Sequence, residues 1–79
     1  MKVEVRVQLK DGVLDPQGEA IRQVLARLGY SEVTSARVGK LIVLEVEGQD
    51  HEVVRARVDA ACRELLANPV IEDYEVRLS

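Results

Sequence analysis

The chain has no tryptophan, no phenylalanine and only two tyrosines, Tyr30 and Tyr74, among its 79 residues. Its core must therefore be aliphatic, and it has no row of aromatic side chains on which bases could stack. A single cysteine, Cys62, excludes an internal disulfide and fits a reducing compartment, so a cytoplasmic location is expected. No apolar run approaches the length of a transmembrane helix. A strand pattern begins directly after Met1, so no signal peptide is expected. Charge of one sign is not concentrated anywhere: 11 Lys and Arg are interspersed with 14 Asp and Glu, for a formal charge of -3. Neither a nucleic acid nor a membrane surface is an expected partner of such a chain.

What is present is enough for one small α+β domain spanning residues 1–79. Hydrophobic residues make up 47% of the sequence, too many for a disordered chain. A chain of this size buries only about 60% of its unfolded surface, so its own core is marginal and association with other chains is expected. Residues 2–9 alternate strictly, with Val3, Val5, Val7 and Leu9 on one face, which predicts a strand. Over 16–28, Ile21, Val24, Leu25 and Leu28 form the apolar stripe of a helix that ends at Gly29. Residues 32–38 predict a second strand with irregular parity, joined through a tight turn at Gly39-Lys40 to a third strand at 41–47. In that third strand Ile42, Leu44 and Val46 face inward, and Leu41 and Val43 face the other way. Asp50 caps a second helix over 51–67, with Val54, Val58, Ala61, Cys62 and Leu65 on its stripe and Arg55–Asp59 and Asp59–Arg63 as i, i+4 pairs. Asn68 and Pro69 stop it, and a last strand follows over 70–78 with Tyr74, Val76 and Leu78 inward.

The order βαββαβ predicts a ferredoxin-like fold: a four-stranded antiparallel sheet with two helices on one face and right-handed crossovers. Leu41 and Val43 then lie on the open face, where a second copy or another partner is expected to pack.

Chemistry-bearing constellations are scarce. His51 stands alone at a helix start, and Cys62, eleven residues on along the same helix, gives neither the spacing nor the ligand count of a zinc site. Cys62 itself reads as a small buried hydrophobe. Glu72 and Asp73 are neighbours on a strand and point to opposite faces, so they cannot converge for acid–base work. Gly12 to Gly18 lacks the Gly-Lys-Ser/Thr end of a phosphate loop and the Gly-x-Gly-x-x-Gly dinucleotide pattern. Asp15 reads as an N-cap with Pro16 at the first helical position. Apolar Val13 and Leu14, on the loop before it, either dock a partner or fold over the end of the core. Lys40 is either a solvated turn residue or a contact for an anion or partner.

Four segments carry a resemblance. These are Gly12-Val13-Leu14-Asp15-Pro16-Gln17-Gly18, Leu28-Gly29-Tyr30, Val38-Gly39-Lys40, and Leu65-Leu66-Ala67-Asn68-Pro69-Val70-Ile71-Glu72-Asp73-Tyr74. In this order and spacing the chain resembles the PurS family, the small subunit of phosphoribosylformylglycinamidine synthase. The resemblance implies a subunit without an active site or cofactor of its own. It would bridge a glutaminase subunit and a large synthetase subunit, the latter using ATP and Mg²⁺, and would support the passage of ammonia between them. It also implies a dimer or a dimer of dimers. Val13, Leu14, Asp15, Lys40, Asn68 and Glu72 are the residues expected to meet a partner subunit, and Leu41 and Val43 those expected between copies. Two other functions on this fold compete. An ACT-like regulatory module would bind a small molecule, but it gives the Asp-Pro-Gln-Gly stretch no role. An acylphosphatase-type enzyme needs an arginine in the loop after the first strand, where this chain has Lys10 and Asp11.

Overall fold

A computed structural model describes residues 1–79. Strand β1 (Lys2–Leu9) is central in a three-stranded antiparallel sheet of order β2-β1-β3, with β2 at Gly39–Glu45 and β3 at Glu72–Leu78. Helix α1 (Pro16–Arg27) joins β1 to β2. Helix α2 (His51–Ala61), prolonged by a π turn at Cys62–Leu66, joins β2 to β3. The alternation read in β1 sets the inner face: Val3, Val5 and Val7 are wholly buried, and across the ladders they meet Leu44 and Ile42 on one side and Leu78, Val76 and Tyr74 on the other. Val54, Val58 and Cys62 of α2 close the core over them. The π turn ends where Ala67 donates its N–H to Cys62 O, which brings Ala67 back into that core while Leu65 points out.

Three expectations need correction. Residues 32–38 form no strand, so the sheet has three strands where four were expected. Val33, Ala36 and Val38 keep no common parity, and the polar groups of this segment are spent elsewhere. The Val33 N–H turns back to Tyr30 O, and that of Val38 is taken by the Asp15 carboxylate. Gly39 and Lys40 are accordingly not a hairpin tip. They open β2, opposite Gln8 and Val7.

The third correction concerns α1. The helix begins and ends as the sequence predicts: Asp15 Oδ1 accepts from Gly18 N, and Gly29 N and Tyr30 N close on Ala26 O and Leu25 O as a Schellman motif. It does not, however, join α2 on the sheet. Beside the strand ladders, the substantial contacts between elements are those of α2 with β3 and with its own π turn. The stripe of α1 is left open, with Ile21, Val24 and Leu28 all exposed. The molecule is correspondingly long, 49 × 24 × 14 Å, with a radius of gyration of 16.1 Å.

The two rims of the sheet differ. Ser79 N donates to Lys2 O, so even-numbered residues of β3 turn their backbone groups outward, and the Arg55 guanidinium donates to one of them, Val76 O. The i, i+4 partnership of Arg55 with Asp59 is given up for this, whereas Asp59–Arg63 forms at 3.0 Å. On β2 the Met1–Val46 pair fixes the opposite parity, so the backbone groups of Leu41, Val43 and Glu45 face outward with nothing bonded to them in the chain.

Candidate functional site

One end of the molecule gathers most of the residues singled out by the sequence. There the end of β1, the loop 10–15, the start of β2 and the segment 68–72 meet around an open groove of about 530 Å³, lined among others by Gln8, Asp15, Gln17, Lys40 and Glu72. Asp15 is the centre of this end. Its Oδ1 caps α1 through Gly18 N at 2.8 Å, and its Oδ2 accepts from Val38 N, also at 2.8 Å. The hydrogen bond from Gly18, then that from Val38, holds the carboxyl below its ordinary range. Gly18 is buried against the Ala36 backbone, where a Cβ would stand 2.1 Å from the carbonyl oxygen. Arg37 completes the clasp by donating to Leu9 O and Lys10 O and pairing with Asp11. Residues 36–38, expected to pair in a sheet, thus lock the base of α1 to the end of β1.

Glu72 and Asn68 form a second unit. Asn68 stops the helix as read, and its Oδ1 accepts from Val70 N at 3.1 Å. The Asn68 N–H donates to Glu72 Oε1 at 2.7 Å, and Glu72 N returns to Asn68 O at 2.7 Å. Lys10 N donates to Ile71 O and ties this unit to the first loop. Lys40 forms no ion pair. Leu14 is 77% exposed on the same loop, and Val13 beside it is half-buried. Asp15, Lys40 and Glu72 therefore share one groove, with Asn68 bonded to Glu72. Leu41 and Val43 are not part of this end. They lie on the outer sheet face, 55% and 52% exposed.

The arrangement holds frames in place rather than moving protons. Asp15 spends both carboxylate oxygens on backbone N–H groups, and Glu72 spends one. His51 is exposed at the start of α2, and no cluster of three or more His, Cys, Asp or Glu side chains is placed to hold a metal ion. Burial, with Asp59 nearby, pushes the Cys62 thiol up and keeps it unreactive.

Several features carried no signal in the sequence. Tyr74 donates its hydroxyl to Asp59 Oδ1 at 2.5 Å and so pins β3 to α2. That hydrogen bond, helped by burial and the Asp59 charge, raises the Tyr74 pKa. The partners of Arg37 lie farther still along the chain, 26 to 28 residues away.

Comparison with known proteins shows what the whole chain is similar to. The family model described as PurS, phosphoribosylformylglycinamidine (FGAM) synthase, matches residues 2–79. The phosphoribosylformylglycinamidine synthase subunit PurS of Methanocaldococcus jannaschii is 42% identical over 98% of this chain and 93% of its own length. The subunit of the same name from Bacillus subtilis is 47% identical over 92% of this chain and 86% of its own. Among solved structures, a chain of PurLQS from Thermotoga maritima superposes with a TM-score of 0.87 at 46% identity, covering 96% of this chain and 93% of that one.

Proposed function

The chain belongs to the PurS family, and from that membership and the build of its groove end we propose that it is the non-catalytic small subunit of phosphoribosylformylglycinamidine synthase in purine biosynthesis. In this role it bridges the glutaminase subunit and the large synthetase subunit, and supports the transfer of ammonia between them. ATP and Mg²⁺ act in the large subunit. The observation that carries the reading is the match over residues 2–79 to a family with a relative in a PurLQS assembly.

The geometry supports a docking role for the groove end. Asp15, Glu72 and Asn68 hold the loops 10–15 and 68–72 in fixed positions, and these loops present Leu14 and Val70, 77% and 78% exposed, together with the unpaired Lys40. A rigid frame with a bare apolar anchor suits association, because little ordering entropy is left to lose on binding. Leu41 and Val43 offer a second surface, for a contact between copies. The ferredoxin-like arrangement is proposed as the state of the assembled protein, in which another chain supplies what residues 32–38 do not.

The test is glutamine-dependent formation of formylglycinamidine ribonucleotide by the large and glutaminase subunits, with and without this chain. Activity that appears only on its addition is the expected result. No change, with the other two subunits proven competent, overturns the reading.

A further inference from the structure

Lys40 borders two hollows. One is the groove already described. The other, of about 340 Å³, lies on the outer sheet face and is walled by Arg6, Gln8, Gly39, Lys40 and Leu41 among others. Gly39 keeps it open, since a Cβ there would stand 2.7 Å from Val7 O and the strand would have to shift. Two cations meet at this hollow and no acid does. Four other hollows on the molecule each have at least one Asp or Glu on the wall. The acids beside the two cations are committed elsewhere. Glu75, across the ladder from Arg6, is paired with Arg77 at 2.6 Å, and Glu4, on the same face of β1, with Lys2 at 3.8 Å. Asp73 stands across from Gln8 and pairs with no cation. Beside Lys40, Asp15 spends both oxygens and Glu72 spends one on backbone N–H groups. Arg6 and Lys40 themselves form no ion pair. A third donor stands with them: Gly39 shares the odd parity of Leu41 and Val43, so its N–H is turned to the bare rim of β2.

We propose that this hollow receives a carboxylate: an aspartate or glutamate on an acidic segment of the subunit that docks at the groove end. The planar Arg6 guanidinium offers a forked pair of donors to such a group, and the Lys40 ammonium closes on it from the groove side. The occupant is a protein side chain rather than a free anion because Arg6 and Lys40 are both exposed and the hollow is open, so each contact is weak by itself. A partner already seated in the groove delivers its carboxylate at high effective concentration, and the same weak contacts then count. Lys40 makes the two surfaces continuous, since it walls both. The chain carries a net charge of -3, so an acidic segment is repelled by most of its surface and admitted here, which fixes the orientation of docking. This deepens the docking role proposed above and rests on it for the identity of the partner.

The test has two arms. In the first, the full chain labelled with nitrogen-15 is titrated at fixed ionic strength with acetyl-tetraglutamate amide, and separately with inorganic phosphate. The peptide should shift the Gly39 and Leu41 amide signals, and phosphate should act only at higher concentration. The shift should disappear in the Arg6→Gln/Lys40→Gln chain, whose fold is checked by circular dichroism; if that chain does not fold, Arg6→Gln alone replaces it. No shift at Gly39, an undiminished shift in the variant, or tighter binding of phosphate overturns the proposal, the last by showing a site for a small inorganic oxyanion. In the second arm, association with the large and glutaminase subunits is measured at several salt concentrations. The double glutamine variant should associate about fivefold or more weakly at low salt, and its affinity should fall less steeply as salt is added. Arg6→Lys/Lys40→Arg, which keeps both charges, should recover most of the loss, and Arg57→Gln, which removes a cation outside the hollow, should associate like the native chain. Equal association of the double glutamine variant overturns the proposal. If the native chain joins neither subunit, the functional assignment fails while the peptide titration still decides the hollow, so the two failures are distinguishable.

Discussion

Asp15 and Val38, 23 residues apart, are joined by a 2.8 Å hydrogen bond from the Val38 N–H to the Asp15 carboxylate. The same carboxylate caps α1, so a single side chain fixes both ends of the excursion between β1 and β2. Asp15→Asn keeps one carbonyl acceptor and loses the other along with the charge. The expected outcome is a fall in Tm of several degrees, read by thermal unfolding. The acid side follows from the sign of the pKa shift. The carboxyl is depressed in the folded chain relative to its ordinary value near 3.8, so its contribution is complete above that value and is lost as pH falls through the lower, folded one. Native protein should lose Tm in that window, and the Asn variant should lose less.

Gly18→Ala is predicted to reverse an ordinary rule. Alanine in a helix normally stabilises by about 1 kcal/mol over glycine. Here the new methyl would stand 2.1 Å from the Ala36 oxygen, so the clasp must open. A destabilisation of about 1–3 kcal/mol is expected from denaturant titration. A gain in stability would show that the helix base is not clamped.

Tyr74→Phe removes the hydroxyl that reaches Asp59. Ultraviolet titration of the Tyr30→Phe chain should place the remaining phenol above the ordinary tyrosine range near 10. Because the folded pKa is raised, the stabilisation is full below the unfolded value and disappears as pH climbs through the folded one. The alkaline loss of Tm should be smaller in the Tyr74→Phe chain.

Leu14→Asp should leave the fold intact, since the side chain is 77% exposed, and should abolish the restoration of synthase activity. Circular dichroism and the reconstituted assay read the two effects. Unfolding of this variant would instead identify Leu14 as part of the core.

Much of this fold is legible from residue patterns. Alternation at Val3, Val5 and Val7, the caps at Asp15 and Asp50, and the stop at Asn68-Pro69 are local signals, and each lies where it is read. Residues 32–38 are not legible in this way, because what removes them from the sheet is the second oxygen of Asp15, 23 positions before Val38. The stripe of α1 looks the same whether it faces its own sheet or another chain, so periodicity alone cannot say where the helix goes. At the groove, the residue types at Asp15, Lys40 and Glu72 were readable. Their convergence was not, since it depends on β2 beginning at Gly39 and on Lys10 bonding Ile71.

The unequal rims of the sheet set a limit on growth. The β2 rim is bare over Leu41, Val43 and Glu45, while the β3 rim carries the Arg55 guanidinium on Val76 O. A sheet whose sides differ in this way is joined more readily at the bare one. Two copies meeting at β2 would leave outside only rims on which Val76 O is already taken, whereas a sheet bare on both sides is the template for an endless fibre. Arg55 thus withholds one acceptor of the β3 rim from a partner strand, and its loss would matter more for colloidal behaviour on storage than for the stability of a single molecule.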